Sequence, residues 1–276
     1  MIQVKVPTVL YHYTGVVGLL GILEKNEIWT SNIHFLNDSK EFNHAIECAK
    51  QILRIELDKA GVVDSKDSLI KRVSDRFEEF EHLSIHVASF SEERDLLSQW
   101  RSYCPPGAGY AIGFDHGHLG SIAQRQAYRL RPCAYTHMEH SVLIRPVILR
   151  FIHATIKLKN EQIRDNDPVI EKALKNLIED FIQIAPMIKH ESFKEEREWR
   201  LISEPFPTNH PKWNVKPGKK MLIPYSPFQL DNAICEIVVG STSNQYLAGS
   251  SVASALNKYG IKGWRVSYSN SSYRDW

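Results

Sequence analysis

Residues 193–202 read FKEEREWRLI, a run of charges that passes into an apolar stretch. In an extended strand alternate side chains point to the same side, so Glu196, Glu198 and Arg200 would share one face. Two residues along a strand are about 6.5–7 Å apart, whereas a helix would place Glu196 and Glu198 about 200° apart around its axis. We predict a strand over Trp199–Ser203, and the shared face of the glutamates requires that the extended conformation reach back to residue 196.

Paired carboxylates on one rigid strand suit chemistry at a glycosidic bond. One carboxylate stabilises an oxocarbenium-like sugar, while the other orients or deprotonates the acceptor. Arg200 would keep a neighbouring carboxylate ionised through a charge-assisted contact. The alternative is that the charge run is a solvated surface.

Two earlier predicted strands also end in polar residues. His12 and Thr14 share a face at the end of residues 9–13, where an imidazole and a hydroxyl would bind a ribose or an amide. Ser89 and Ser91 share a face at the end of residues 85–91 and would leave space for a ligand. Taken alone, each pair is better explained by local backbone hydrogen bonds at the end of a strand.

The order of predicted elements indicates a mixed α+β protein rather than a regular alternation of strands and helices. Strand-like and helical segments alternate irregularly up to about residue 135, residues 137–190 are mostly helical, and the remainder is rich in strands. We therefore expect one domain over residues 1–276, with a mostly helical insertion at about 137–190.

Composition and charge exclude several classes of protein. The 276 residues carry 34 Lys and Arg against 32 Asp and Glu, so there is no bulk electrostatic signal for nucleic acid or for a membrane surface. No apolar run is long enough to span a bilayer, and the N-terminus lacks the apolar stretch of a signal peptide. We expect a cytoplasmic protein with no membrane partner and no strong nucleic-acid signal.

The sequence predicts no metal site. The four cysteines are far apart and form no C-x-x-C pair, which argues against a zinc knuckle or a disulfide framework. His116 and His118 are expected in a polar turn. His137 and His140 have no evident third ligand and are expected on the surface.

In this order, a His-x-Thr strand, a Ser-x-Ser strand and a Glu-x-Glu strand resemble the split NAD site of the ADP-ribosyltransferase superfamily, which includes diphtheria-toxin-like and poly(ADP-ribose) polymerase-like enzymes. The resemblance implies a split mixed β-sheet core with the helical insertion added to it. It also implies NAD as a substrate. The His motif is typical of the polymerase-like branch and the other two motifs are typical of arginine-specific toxins, so the acceptor stays open.

The resemblance implies a role for each motif. Glu198 would bind the 2′-hydroxyl of the nicotinamide ribose and stabilise positive charge as nicotinamide leaves, and Glu196 would face the acceptor. The remaining residues would bind the cofactor. They are His12 at the ribose or nicotinamide amide, Tyr13 and Thr14 beside it, and Ser89 and Ser91 along the nicotinamide ribose.

The whole chain also resembles a widespread bacterial family labelled as a domain of unknown function, number twenty-nine seventy-one. The segments that carry this resemblance are residues 10–14 (LYHYT), 35–38 (FLND) with Glu41, 89–91 (SFS), Trp100 with Tyr103, 109–114 (GYAIGF), 196–200 (EREWR) and 273–274 (YR).

Together these features predict an NAD-dependent ADP-ribosyltransferase, a glycosyltransferase, that acts on an unknown macromolecular or small-molecule acceptor. Two alternatives stay open. One is an NAD glycohydrolase that uses water at the same site, and the other is a non-enzymatic binding or scaffold protein. A toxin or phage-defence role is the biological expectation for either enzyme.

Overall fold

The fold was analysed in a computed structural model that describes residues 6–36, 41–63, 66–78, 84–156, 167–218 and 220–271. The strands in this part of the chain are β1 (Val9–Gly15), β2 (Glu27–Asn32), β3 (His86–Ser91), β4 (Gly109–Asp115), β5 (Tyr128–Pro132), β6 (Glu198–Ser203), β7 (Asn214–Pro217), β8 (Leu222–Gln229), β9 (Ile234–Val239) and β10 (Arg265–Tyr268). The helices are α1 (Val16–Lys25), α2 (Glu41–Lys59), α3 (Lys66–Glu78), α4 (Leu97–Tyr103), α5 (His116–Arg125), α6 (His137–Thr155), α7 (Pro168–Ile184) and α8 (Gln245–Lys258).

The strands form a mixed sheet in which β10 pairs with β9 in parallel and the other pairings are antiparallel. The order along the main path is β10-β9-β4-β1-β3-β2-β8-β7, and β6 joins β3 to β5. The predicted α+β class with a mixed sheet is confirmed. None of the helices in the described ranges is long and apolar enough to cross a bilayer.

The sheet divides at β3. One edge of β3 pairs with β6 from Val87 to Ser91. The other edge pairs with β2 at residues 86 and 87 and with β1 at Ser91. Since β1 and β2 occupy opposite ends of the same edge, they leave a gap between them beside Ser89.

Helices cover both faces of the sheet. On one face α2, α3, α6 and α7 form a core with Val87 and Ile202, and on the other face α1, α5 and α8 pack over Ala88, Phe90 and Leu201. Successive side chains of β3 and β6 therefore point alternately into the two cores, as expected for strands that are buried on both faces of the sheet.

The helices predicted between residues 137 and 190 are present as α6 and α7. Each begins at a residue that caps its free backbone N–H groups. Thr136 and Glu139 form a reciprocal capping box at α6, and Asp167 caps α7 in front of Pro168. The division of the chain into one domain with an insertion stays a prediction.

Strand β6 begins one residue before the predicted Trp199–Ser203, but the extended conformation does not reach back to Glu196. Glu196 is the last residue of a 3₁₀ turn over Glu191–Glu196, Arg197 follows in the left-handed conformation with φ 44°, and β6 begins at Glu198. The expectation that Glu196 and Glu198 share one strand is therefore wrong. The turn is held by a hydrogen bond from Arg197 N to Lys194 O and by one from Ser91 Oγ to Glu196 O at 2.6 Å.

Other local predictions need smaller corrections. The sequence did not predict β7. The segment expected as a polar turn begins α5, where Asp115 accepts a hydrogen bond from His118 N at 2.7 Å as the helix cap.

A buried carboxylate ties the β9 side of the sheet together. Glu236 on β9 is 1% exposed and accepts hydrogen bonds from Tyr11 on β1 at 2.9 Å and from Ser267 on β10 at 2.6 Å. Arg94 at 3.2 Å and Arg265 at 3.0 Å complete its shell. Burial acts to raise the pKa of Glu236, but these hydrogen bonds and cations outweigh it and hold the pKa at about 2.

We expect Glu236→Gln to lower the free energy of unfolding at pH 7 by about 3 kcal/mol, because it leaves two arginines and a tyrosine without their buried anion. A carboxyl whose folded pKa is depressed stabilises the protein above its unfolded pKa of about 4.5 and ceases to do so as pH falls toward 2. The difference between wild type and variant should therefore shrink across that window in urea unfolding. The exposed Glu179→Gln is the control and should change stability by under about 0.5 kcal/mol. An equal difference at pH 7 and pH 3 would contradict this assignment.

Candidate functional site

A cleft of about 880 Å³ opens at the gap in the sheet. Helix α1 and the strands β1, β2, β3 and β6 supply most of its wall, together with the 3₁₀ turn before β6. The cleft brings together residues from three distant parts of the chain that the sequence analysis singled out. They are His12, Thr14, Ser89, Glu196 and Glu198.

The carboxylate of Glu198 lies between two cations. Arg200 donates from Nε to Oε1 at 2.7 Å and from Nη2 to Oε2 at 3.2 Å, and Lys189 Nζ donates to Oε2 at 2.5 Å. Burial acts to raise the pKa of Glu198, which is 4% exposed, but the charges of Arg200 and Lys189 outweigh it and hold the pKa at about 2. Glu198 is therefore ionised at any physiological pH.

Lys189 also holds the second carboxylate. Its Nζ donates to Glu196 Oε2 at 2.5 Å, so one ammonium bridges Glu196 and Glu198. Lys189 is 3% exposed and follows an isolated bridge between Ala134 and Ile188, where its backbone N–H donates to Ala134 O at 2.9 Å. Glu196, Glu198, Lys189 and Arg200 thus form a buried cluster with no net charge, which we call the acidic cluster. Its two carboxylates remain on the wall of the cleft.

The sequence did not predict Lys189 as a residue of the site. The only signal available was a single charge after the apolar segment of residues 184–188, and one lysine beside apolar residues does not show which carboxylate it will meet. Arg200 was predicted correctly to lie on the same side of the strand as Glu198, and its Nη1 also donates to Pro186 O at 2.9 Å.

His12 crosses the gap in the sheet. Its Nδ1 lies 2.9 Å from Ser89 O, and because a carbonyl oxygen can only accept, Nδ1 carries the proton and Nε2 is left as an acceptor. Burial lowers the pKa of His12, so the ring is neutral near pH 7. The imidazole therefore offers a lone pair rather than a positive charge.

His12 and Glu198 belong to opposite faces of the sheet. Tyr11 pairs with Ser91 and Ser91 pairs with Glu198, so these three residues share a face while His12 points to the other. Both reach the same cleft because the gap between β1 and β2 connects the two faces.

Tyr13 and Ser91 do not line the cleft. The Tyr13 ring packs on Trp100 with centroids 4.7 Å apart, and its hydroxyl donates to Glu93 O at 2.6 Å. Tyr13 follows His12 by one residue and so faces the opposite side of β1. Ser91 Oγ donates a hydrogen bond to Glu196 O and accepts one from Glu93 N, so it stabilises the turn before β6. The structure thus corrects the predicted placement of these two residues in the cofactor site.

Where α1, β2 and β7 line the cleft, positive charge lies over aromatic rings. Trp29 stacks on Tyr225 with centroids 4.4 Å apart, and Lys25 and Lys216 lie 4.8 and 5.7 Å from the Trp29 ring centroid. Within the described residues no carboxylate lies within 4.0 Å of either ammonium. Burial lowers the pKa of Lys216. The sequence did not predict this basic part of the cleft, which suits an anionic ligand.

Comparison with known proteins gives two matches. A search of curated proteins finds no match to this chain. Among solved structures, the chain is similar to Thermus sp. 2.9 DarT in complex with ADP-ribosylated ssDNA, at 12% identity and a TM-score of 0.33 over 95% of this chain and 93% of that chain. Because that structure is a nucleic-acid complex, the expectation that this chain shows no strong nucleic-acid signal is wrong.

The second match is to a family model and covers the segment from α4 into β6. It includes the predicted family segments at residues 109–114 and 196–200, whereas residues 37–38 and 273–274 lie outside the described residues. The resemblance predicted from sequence is confirmed over this segment: residues 99–201 match the family described as a protein of unknown function (DUF2971).

Proposed function

We propose that the cleft binds NAD and that the protein transfers ADP-ribose from it with release of nicotinamide. The observation that carries the proposal is the meeting of His12, Ser89 and Glu198 at one gap in the sheet. These residues come from β1, β3 and β6, and their convergence argues against the scaffold alternative, which would leave them scattered.

The size and charge of the cleft support a dinucleotide. Its volume lies within the range of about 300–1,000 Å³ that is usual for small-molecule sites. Lys25 and Lys216 supply cations for a pyrophosphate, and the acidic cluster lines another part of the cleft wall. His12 Nε2 would accept a hydrogen bond from a ribose hydroxyl or from the nicotinamide amide.

In the proposed reaction the bond between the ribose C1′ and the nicotinamide nitrogen breaks, and its electron pair leaves with nicotinamide. The sugar is left as an oxocarbenium-like cation that the ionised Glu198 stabilises. The ribose 2′-hydroxyl would displace Lys189 from Glu198 Oε2, since Glu196 offers the ammonium a second partner. The acceptor then adds to C1′ and transfers its proton to the carboxylate of Glu196.

An NAD glycohydrolase is the second candidate, and the burial of the acidic cluster favours it. Glu196 is 9% exposed and Glu198 is 4% exposed, so water reaches them more easily than a bulky acceptor does. The products of labelled NAD distinguish the two activities. Free ADP-ribose alone indicates hydrolysis, whereas label retained on added protein or on single-stranded DNA indicates transfer.

We expect Glu198→Gln to reduce nicotinamide release from labelled NAD by about 100- to 1,000-fold, because the neutral amide cannot stabilise the sugar cation. The neighbouring and exposed Glu195→Gln is the matched control and should retain full activity. Circular dichroism and thermal unfolding check that the Glu198 variant is folded. Unchanged release by a folded variant would remove Glu198 from the reaction.

Lys189→Met should introduce an acid limb into the pH profile of kcat/KM for NAD. In the wild type the pKa of Glu198 is about 2, so its protonation costs no activity above pH 4. Without Lys189 the two carboxylates repel each other with only Arg200 nearby, and the pKa of Glu198 rises toward the ordinary value of about 4.3 or above it.

His12 titrates in both proteins, so the difference between their profiles isolates the acidic cluster. The exposed Lys194→Met is the control and should keep the wild-type profile. Identical acid limbs in wild type and Lys189→Met would show that Lys189 does not set the ionisation of Glu198.

Lys216→Met should raise KM for NAD by about tenfold or more with little change in kcat, since one charged contact to a phosphate is worth about 1.5–3 kcal/mol and binds ground state and transition state alike. Steady-state nicotinamide release over a range of NAD concentrations measures both constants. The exposed Lys212→Met controls for net charge. A fall in kcat at unchanged KM would place Lys216 at the reacting centre instead of at the phosphates.

A further inference from the structure

Helices α2 and α6 bring three side chains that can bind a metal together, next to the segment that carries Lys189. His44 and Cys48 are one turn apart on α2, and His140 faces them from α6. Cys48 Sγ lies 3.8 Å from His44 Nε2 and 3.8 Å from His140 Nδ1, and the three potential ligand atoms lie within 4.8 Å of one another.

The hydrogen bonds of His140 decide which of its nitrogens faces the group. His140 Nε2 lies 3.0 Å from Ala134 O and 3.1 Å from Lys189 O, and because both oxygens can only accept, Nε2 carries the proton. Nδ1 is therefore a lone pair directed at Cys48. His140 is 4% exposed, which corrects the expectation from sequence that it is a surface residue.

We propose that His44, Cys48 and His140 bind a divalent transition metal of the Zn²⁺ class. Imidazole nitrogen and thiolate sulfur are the ligands that zinc prefers, and a metal-bound imidazole usually donates its other N–H to a carbonyl, as His140 does. Tetrahedral zinc holds sulfur and nitrogen ligands roughly 3.5 Å apart. The present separations, 3.8 Å from Cys48 Sγ to each imidazole nitrogen and no more than 4.8 Å between the nitrogens, need only small side-chain rotations to reach that geometry.

Binding would convert the Cys48 thiol to a thiolate and release its proton to solvent. The metal would then have three protein ligands and a fourth position for water. The His190 ring, whose centroid is 5.4 Å from that of His44, borders the group.

The metal would fasten α2 to the segment that carries Lys189. His140 is hydrogen-bonded to the backbone of Lys189, whose side chain bridges Glu196 and Glu198. Residues of α2, which supply no part of the acidic cluster, would in this way fix the position of the lysine. The metal site does not depend on NAD being the ligand of the cleft.

The test is cobalt titration of the full-length protein after chelator treatment and buffer exchange. We expect one Co²⁺ per chain, a thiolate-to-cobalt charge-transfer band, and loss of that band on addition of Zn²⁺. Cys48→Ser should lack the band, and His44→Ala should bind at least about 100-fold more weakly. Cys235→Ser and His137→Ala are matched controls outside the group and should behave as wild type.

Thermal unfolding keeps the test independent of enzymatic activity. Added Zn²⁺ should raise the Tm of wild type and of both controls but not that of Cys48→Ser, while the metal-free proteins should unfold at similar temperatures. Absence of stoichiometric binding by wild type, or a cobalt spectrum without a sulfur band, would overturn the proposal. The contact of Cys48 with the two histidines would then be a hydrogen-bonded group only.

Discussion

A β-strand has two edges, and in this protein three strands pair with β3. Because β6 covers one edge from Val87 to Ser91, β1 and β2 must share the other, and they do so by taking opposite ends of it. On this second edge the backbone of Ser89 is left without a strand beside it, and His12 Nδ1 donates a hydrogen bond to its carbonyl oxygen. The cleft follows from this competition, since the gap that it creates connects the two faces of the sheet.

The second constraint is electrostatic. Burying an isolated carboxylate at the start of β6 would cost free energy, and the protein offsets that cost by surrounding Glu198 with Arg200 and Lys189. The result is a carboxylate that is charged, fixed in direction and close to open volume. A group of this kind suits the stabilisation of a developing sugar cation better than it suits proton transfer, because a carboxyl with a pKa near 2 is a weak base.

The acidic cluster also depends on hydrogen bonds made by residues outside the cleft. Lys189 is placed by its backbone bond to Ala134, and His140 binds the carbonyls of both residues from α6. The helices between residues 137 and 184 therefore do more than cover one face of the sheet. They hold the segment from which the bridging lysine reaches the strand.

Local periodicity was enough to predict the α+β class, α6 and α7, and the shared face of Glu198 and Arg200, because a strand or helix repeats over neighbouring residues. The same reasoning failed at Glu196, where bonds from Ser91 Oγ and Arg197 N hold a turn that alternation does not encode. The motif around His12 also included Tyr13, although adjacent residues of a strand face opposite sides, and of these two residues only His12 reaches the cleft.

The amino-acid sequence alone determined which side chains each strand and helix would present on a given face, since that depends on backbone geometry over a few residues. Only the tertiary structure decided which faces meet. It brought Lys189 to Glu198, placed His140 against Cys48, and set Lys25 and Lys216 close to the Trp29 ring. These contacts depend on how whole elements pack, and packing is set by the shape and burial of the complete core rather than by any one segment.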